Sequence, residues 1–540
     1  MIKVSVVVPV YNPGIAFDAC VASLLGQSMA AGECELVFVD DGSTDGTGER
    51  LDALAAQHEH VRVRHIPNSG WPGRPRNVGI EMARGEFLYF VDNDDRLGPE
   101  ALERLHAMAI ADGADIVIGK VVGHGKTVPR PLFVRNEHDL DARTVSFGLL
   151  SPHKLFRRAL LEEHELRFPE GPRRLEDHFM VVPAFFKARR IAILSDYPCY
   201  HWIAPEDKTN LSFQAPDPAE YFASVADVLD IVDAHTEAGP FRDGLYVRWY
   251  RGKLLARVGD WLRAPDTDAD FHARVVDAAR RLAEDRFSPA LDARLPYLTA
   301  QRARLLRDGD VGRLAALSRL ERVMRSSARI TRLRGDGTWL TLRMTGRLRL
   351  EDGTPLTVRR ERDRLMLVPA GPIAEALTDE HLDVTDRLDD GEVVVFLKSL
   401  DDGIEWVIPA DVTLRVPDAP DGEVVRPTLG IQVRIAPTIA AGGGPLPPGS
   451  YDLRVVVSMG GLRFTSRVRR DSEVFAITVT PAHRLEHWRP PARPRPPAPA
   501  PRATPQPALT RVRRGAALAA HEVPGLVPAL RRARRRLAAP

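Results

Sequence analysis

Between residues 1 and 215, short apolar runs alternate with stretches whose apolar positions recur every three or four residues. Five runs read as strands: Val4–Pro9, Glu35–Val39, Val61–His65, Phe87–Val91 and Ile116–Gly119. Phe87–Val91 lacks any alternation, which predicts a strand covered on both faces, as in a parallel sheet. Phe17–Gln27 has helical spacing, and a second helix is expected from near Pro99, with Leu102, Leu105 and Met108 on one face. This succession predicts a doubly wound α/β sheet.

The pattern then changes twice. From 216 to 328 it is helical, in EYFASVADVLDIV, GLYVRWYRGKLLARVGDWL and DFHARVVDAARRLAEDRF. These stripes read as core, and no charged constellation stands out, so a linker or packing domain is expected. From 329 to 482 the period is two, in TWLTLRMTGRLRL, EVVVFLKSL, LGIQVRIA, YDLRVVVSM and GLRFTSRV, separated by turn signals such as EDGT and PPGS. That is the pattern of an antiparallel β-sandwich of one or two modules. Residues 483–540 form a Pro/Arg-rich tail, with nine prolines between 490 and 507 and a short basic, weakly amphipathic end, VPALRRARRRLAAP.

At 540 residues the chain exceeds a single core, and 44% hydrophobic with 27% charged residues is ordinary globular composition. No run approaches the ~20 apolar residues that span a bilayer. The first run, MIKVSVVVPVYNPG, is short, β-branched and broken by Pro9, so it reads as a buried strand rather than a signal peptide. Three cysteines without CxxC spacing argue against a disulfide framework and for a reducing cytoplasm. The net charge of +2 hides an asymmetry: from His487 onward there are twelve arginines and one glutamate, a net +11, against −9 for the rest. The tail reads first as a solvated segment and second as an attachment to an anionic inner membrane leaflet. Nucleic acid is the weakest reading, since no aromatic residue interleaves with the arginines after Trp488.

Acidic residues gather where apolar runs end. VVVPVYNPG breaks at Pro9 into Tyr11 and Asn12; FVDDGSTDGT ends a strand in Asp40 and Asp41; FLYFVDNDD ends one in Asp92, Asn93, Asp94 and Asp95. NSGWPGRPRNVGI carries Asn68, Arg74, Arg76 and Asn77 in a Gly/Pro-rich loop before a helix, and RRLEDHFMVV carries Glu176 and Asp177. Open α/β sheets bind ligands outside the carboxyl ends of their strands, so these stretches fit one site. Acids after the second strand can accept from a base N–H or ribose hydroxyls, and Tyr11 can stack on the base. Arg76 can neutralise a phosphate at a helix start. Asp94 can hold a hard divalent cation, Mn²⁺ or Mg²⁺, bridging diphosphate oxygens, and the lack of His or Cys beside it in sequence argues against zinc.

In order and spacing, VSVVVPVYN, VDDGSTDGT, RNVGI, GEFLYFVDNDD and EDHFM resemble the family 2 glycosyltransferases of the GT-A fold over residues 2–215. The resemblance implies a nucleotide-sugar donor, usually a UDP-sugar, and an inverting transfer. By position, Pro9, Tyr11 and Asn12 would flank the base, and Asp41 would meet the uracil or ribose. Asn68, Arg76, Asn77 and Asn93 would belong to the donor site. Asp92-Asn93-Asp94 matches the family's Asp-x-Asp motif, with Asp92 near the ribose or sugar and Asp94 on the metal. Asp177 matches the catalytic base, with Glu176 as second choice; alternatively Glu176 pairs with Arg173 or Arg174 at the helix end.

The GWPGRPRN form and the extra domains are similar to bacterial wall-teichoic-acid glycosyltransferases, which implies a glycopolymer acceptor and immunoglobulin-like modules used for trimerisation. It leaves the roles of Trp71 and Arg74 open. His201 and Lys208, in YHWIAPEDKTNLSF, could reach the diphosphate but read first as surface residues; His153 and Lys154 could touch the acceptor but read first as the start of a helix. Two rival classes stand against transfer: a catalytically inactive GT-A scaffold or carbohydrate-binding protein, and a nucleotidyltransferase, whose usual Gly-rich Arg/Lys signature is replaced here by VYNPG.

Overall fold

The computed structural model describes residues 1–204, 216–265, 267–388, 392–459, 462–470 and 472–488. Its first half is built from β1 (Val4–Val10), α1 (Ala16–Leu25), β2 (Cys34–Asp40), α2 (Thr47–Gln57), β3 (Val61–His65), α3 (Gly73–Met82), β4 (Phe87–Phe90) and β5 (Arg96–Leu97). There follow α4 (Ala101–Asp112), β6 (Ile116–His124), β7 (Glu137–Leu140), β8 (Leu155–Arg157), α5 (Arg158–Glu163), α6 (Glu176–Lys187) and β9 (Ile191–Ile203). The sheet order is β3-β2-β1-β4-β8-β6-β9-β5, with β7 on β9. β3, β2, β1 and β4 are parallel, whereas β8 runs antiparallel to both β4 and β6. The sheet is therefore mixed, and strand order reverses between β1 and β4, where a ligand crevice is expected. Phe87–Val91 is fully buried, as its unbroken apolar run requires.

Five predicted strands and two predicted helices are present, with ends displaced by a few residues. Ile116 continues to His124 because Lys120 and Gly123 also pair with β9. His153 and Lys154 do not begin a helix: α5 starts at Arg158, and both side chains are buried.

Six helices follow: α7 (Pro218–His235), α8 (Pro240–Trp249), α9 (Ala256–Leu262), α10 (Ala269–Arg286), α11 (Tyr297–Asp308) and α12 (Val311–Val323), with a π-helical turn over Tyr250–Leu255. Asp217 caps α7 by accepting from Ala219 N and Glu220 N, with Pro218 in the first turn, so the helical half starts where its sequence signals say. The expectation that these helices carry no charged constellation is overturned at the site described below.

The strand-rich part comprises β10 (Met324–Gly335), β11 (Leu340–Leu350), β12 (Val358–Glu361), β13 (Arg364–Leu367), α13 (Pro372–Ala376), β14 (Glu392–Ser399), β15 (Glu405–Ile408) and β16 (Ala410–Arg415). It continues with β17 (Val424–Val425), β18 (Thr428–Ile435), β19 (Gly449–Met459), β20 (Leu462–Arg470), β21 (Glu473–Val474), β22 (Ala476–Val479) and β23 (Leu485–Trp488). Helix α12 passes into β10 without a loop, and β23 extends the sheet to 488, so the strand-rich part exceeds the expected 329–482 at both ends. The main path runs β15-β14-β19-β20-β10-β11-β18-β16, with a parallel β10–β20 step in an otherwise antiparallel sheet. The sheet folds over itself, so Gly346 on β11 lies against Val457 on β19.

This module seats on the α/β half. Lys120 of β6 lies 4.0 Å over the Trp406 ring, and Arg130 pairs with Glu405 and covers Phe396. Val394, Phe396, Val407 and Val456 form a small apolar cluster against Val134.

Candidate active site

The carboxyl ends of β1, β2 and β4 converge with the start of α6. After β2, Asp41 accepts from Ser69 N and Ser69 Oγ, both at 2.9 Å, tying the Asp-Asp-Gly turn to the Asn68 loop. Gly42 sits at φ +74°, and a Cβ there would come within 2.8 Å of Asn68 N, so glycine is required on both counts. Asn12, itself at positive φ, accepts from Thr44 N and donates its own N–H to Ser43 Oγ. Tyr11 beside it is 49% exposed, and Pro9 is buried within β1. Asn68 bonds Gly70 N within its own loop. Burial raises the Asp41 carboxyl, while the Ser69 bonds and Arg74 pull it down.

Arg76 is the centre of the charge arrangement. It is only 4% exposed at the side chain and pairs with Asp92 and Asp177, each at 2.9 Å, and with Glu176 at 3.6 Å. Its guanidinium also lies 5.1 Å over Phe168. Burial opposes its charge, but the three carboxylates hold it more firmly protonated than usual. The sequence reading gave Arg76 to a phosphate; here its two terminal nitrogens are paired with neighbouring carboxylates. Asn77, expected at the donor, donates to Phe168 O and accepts from Phe168 N, so it fastens α3 to the 168 loop instead.

Glu176 and Asp177 open α6 after Leu175, which is held at φ +61°. Carboxylates in a first turn are favoured by the helix dipole. Glu176 pairs with Arg76 rather than with Arg173, which pairs with Asp227; Arg174 stacks on Trp71. Burial raises the Glu176 carboxyl, and the charges of Arg76 and Arg174 still oppose the rise. Burial, then the Glu176 charge, raises the Asp177 carboxyl, and Arg76 opposes the rise. Asp177 keeps 26% of its side chain open to solvent, so a substrate hydroxyl can reach it.

Several residues here were missed or given no role in the donor site by the sequence reading. His153 is buried 3.5 Å from Asp92 and stacked 4.1 Å from the Tyr200 ring. Burial pushes its imidazole down to about 4, which keeps it neutral near pH 7. Asp95 is fully buried; it accepts from Tyr200 Oη at 2.6 Å and Ile203 N at 2.7 Å, pinning the end of β9 to the acidic run. Lys154 is buried with its amine bonded to Ser151 O, and burial lowers it to about 7. From the helical half, Lys253 in the π-turn is lowered to about 7 by burial, then by Arg248 and Arg257, while Asp177 and Glu176 raise it. Trp249 Nε1 donates to His178 at 3.3 Å, which locks α8 to α6. Asp95 closes the acidic run already noted; for the others proximity in the fold is the signal, and no run or spacing marks them. His201 bonds His124 at 2.9 Å, and Lys208 lies outside the described residues.

Asp92, Asp95 and His153 place one ligand atom each within 4.8 Å of one another, so the fold brings a histidine to the acids that the sequence left without one. The oxygens of Asp95 are nevertheless both engaged by β9. Burial and the Asp92 and Asp94 charges raise its carboxyl, a crowding of negative charge that fits a hard divalent cation at the acidic turn.

Residues 5–197 match the model described as "Glycosyl transferase family 2", and residues 218–318 match "Glycosyl transferase TarS linker domain". A poly(ribitol-phosphate) beta-glucosyltransferase of Bacillus spizizenii is 34% identical over 235 residues, spanning 43% of this chain but 37% of its own length. A poly(ribitol-phosphate) beta-N-acetylglucosaminyltransferase, TarP of Staphylococcus aureus, is 30% identical over 42% of this chain and 71% of its own. The crystal structure of S. aureus TarS 1-349 with UDP-GlcNAc superposes with a TM-score of 0.53 at 23% identity, covering 66% of this chain and 98% of that one. The S. aureus TarS structure covers 90% of this chain and 85% of its own at a TM-score of 0.51 and 19% identity. The likeness extends the shared fold from the GT-A half through the helices into the strand-rich module. With the acidic strand ends assembled on that sheet, and with TarP matched over 71% of its length, the chain belongs to glycosyl transferase family 2.

Proposed function

We propose that this chain transfers a hexosyl group from a UDP-sugar, with inversion, to a hydroxyl of a polyol-phosphate polymer. One observation carries the reading: Arg76 joins Asp92 on the donor side to Asp177 on the opposite wall, at 2.9 Å each. In this reading Tyr11, Asn12 and Asp41 receive the nucleoside, and Asp92 and Asn93 face the ribose and sugar. Asp177 takes the proton of the acceptor hydroxyl as its oxygen bonds the anomeric carbon and the bond to the diphosphate breaks. Arg76 and Glu176 orient that carboxylate and fix its charge. Asp94 would hold Mn²⁺ or Mg²⁺, which would supply charge neutralisation for the departing diphosphate.

The activities named for the relatives support a phosphate-bearing acceptor, and so does Lys253, on which the charges of both Asp177 and Glu176 act. The two named relatives differ in the sugar they transfer, so the choice between glucosyl and N-acetylglucosaminyl belongs to the test. Among the described residues no helix is long and apolar enough to cross a membrane. Trimerisation through the C-terminal module remains part of the proposal and is checked by light scattering of the full chain; the basic tail lies outside the described residues.

The test incubates the chain with a panel of UDP-sugars, Mn²⁺ or Mg²⁺, and poly(ribitol phosphate). Sugar on the polymer together with free UDP supports the proposal. Release of pyrophosphate would instead identify a nucleotidyltransferase. Absence of turnover with intact polymer binding would identify an inactive scaffold.

A further inference from the structure

The outward positions of β10, β11 and β18 form one surface, fixed by register: Arg332 lies opposite Arg343, Arg343 opposite Gln432, and Thr341 opposite Arg434. Cross-strand partners share a face, so the alternating exposed residues of these strands sum on that side. On it stand eight arginines, Arg325 and Arg349 among them, interleaved with Ser, Thr, Gly and Gln, and no carboxylate. The adjoining β16 brings Asp411 opposite Gln432 at the edge of this surface. The whole chain carries 75 basic and 73 acidic residues, so the cationic excess on the three strands is not a consequence of composition.

Directly opposed like charges destabilise a sheet, so the face is costly to the fold by itself. Arg325 is answered by Glu351 in the following turn, and Arg343 reaches only the neutral Gln432, at 3.1 Å. Among the described residues, Arg332, Arg334, Arg347 and Arg349 form no ion pair. Outward residues on one strand lie about 6.8 Å apart and strands about 4.8 Å apart, so the guanidinium groups form a grid rather than a pocket. A grid of forked donors suits a flexible chain with a phosphate in every repeat.

We propose that this arginine face is a second binding surface for the polyol-phosphate polymer, holding repeats beyond the one at Asp177. The inference rests on the acceptor class proposed above. Continuity supports it: the outer surface of β14 and β19 seats on the α/β half, and β20 and then β10 follow in the sheet. A chain leaving the site can thus pass round the module onto the arginines. Engaging a second surface raises the effective concentration of acceptor at the first without changing the chemistry there. Single-stranded nucleic acid would want a series of open aromatic platforms. The outward positions within these strands offer none, and Trp339, just before β11, is covered by Arg434 at 5.4 Å. An anionic bilayer is the other macromolecule the charge could meet, and the test separates it.

The experiment uses the full chain and the triple variant Arg343→Thr, Arg347→Thr, Arg349→Thr, which keeps strand-forming residues at exposed sites of β11. Fluorescence anisotropy of end-labelled poly(ribitol phosphate) is read without donor, across a salt series. The proposal expects the variant to bind about tenfold more weakly, with the slope of log affinity against log salt shallower by about 2. Turnover on a single-unit acceptor should stay unchanged. Equal polymer binding by both proteins overturns the proposal, as does loss confined to vesicles of anionic phospholipid. Because anisotropy needs no turnover, polymer binding without transfer would count against the proposed activity while leaving this surface intact.

Discussion

Arg76 shows how far one residue can govern a site. Three carboxylates converge on a guanidinium that is almost wholly buried, so removing it leaves three negative charges without the counter-ion they share, in a poorly solvated place. Arg76→Ala should destabilise the fold by roughly 3 kcal/mol, as expected for breaking a buried pair from one side, measured by urea denaturation. A loss within about 0.5 kcal/mol would place Arg76 among ordinary surface pairs. Glu176 acts on the base through charge: it raises the Asp177 carboxyl, so the acid limb of kcat should lie above the ordinary carboxylate range. Replacing Glu176 by Gln removes that like charge, and the limb should move to lower pH; an unmoved limb would assign the titration elsewhere. Asp41, Asp94 and Asp177 stand out as candidates in the sequence because each lies in a short acidic run beside an apolar one. The role of Arg76 was not, because its partners lie 16 and 101 positions away, and only the fold brings them together.

Among the elements, α3 lies directly on β1, and Gly79 marks the contact. A Cβ there would come within 2.2 Å of Val7 Cγ1, and Val7 is fully buried. Alanine would gain about 1 kcal/mol of helix propensity. Overpacking a closed core costs about 1–3 kcal/mol, so the clash should win. Gly79→Ala should lower Tm, and adding Val7→Ala should restore part of the loss; an increase in Tm for the single variant would show that α3 moves freely. Strand positions were largely readable from apolar runs. Strand direction was not: β8 is a three-residue strand between parallel neighbours, too short to carry a period. The end of the last helix was also hidden, since α12 runs into β10 with no Gly or Pro between them.

At the scale of the whole molecule, the α/β half and the helices meet at one site, and the strand-rich module seats on the α/β half. The order of the three was legible from successive changes of period. What the helical part contributes was not, because Lys253 is a single lysine in an apolar stretch and gains meaning only beside Asp177 and Glu176. The join with the strand-rich module also has a pH signature. His201 packs on His124 at the end of β9, and burial, then the His124 charge, pushes it down to about 4 from an ordinary 6.5. The folded state therefore resists protonation that the unfolded chain accepts, so stability is complete above 6.5 and is lost progressively as pH falls towards 4. Tm should fall between pH 7 and 5, and His201→Phe should flatten that slope; an unchanged slope would remove His201 from the account.

The account turns on Asp177 doing chemistry rather than holding the donor. Titration calorimetry with the accepted UDP-sugar and initial-rate turnover, run side by side on the native chain and Asp177→Asn, test this most directly. The account predicts donor affinity within about threefold of native and turnover lower by at least about a hundredfold. A variant that keeps its turnover, or that loses donor binding in the same proportion as turnover, would contradict it.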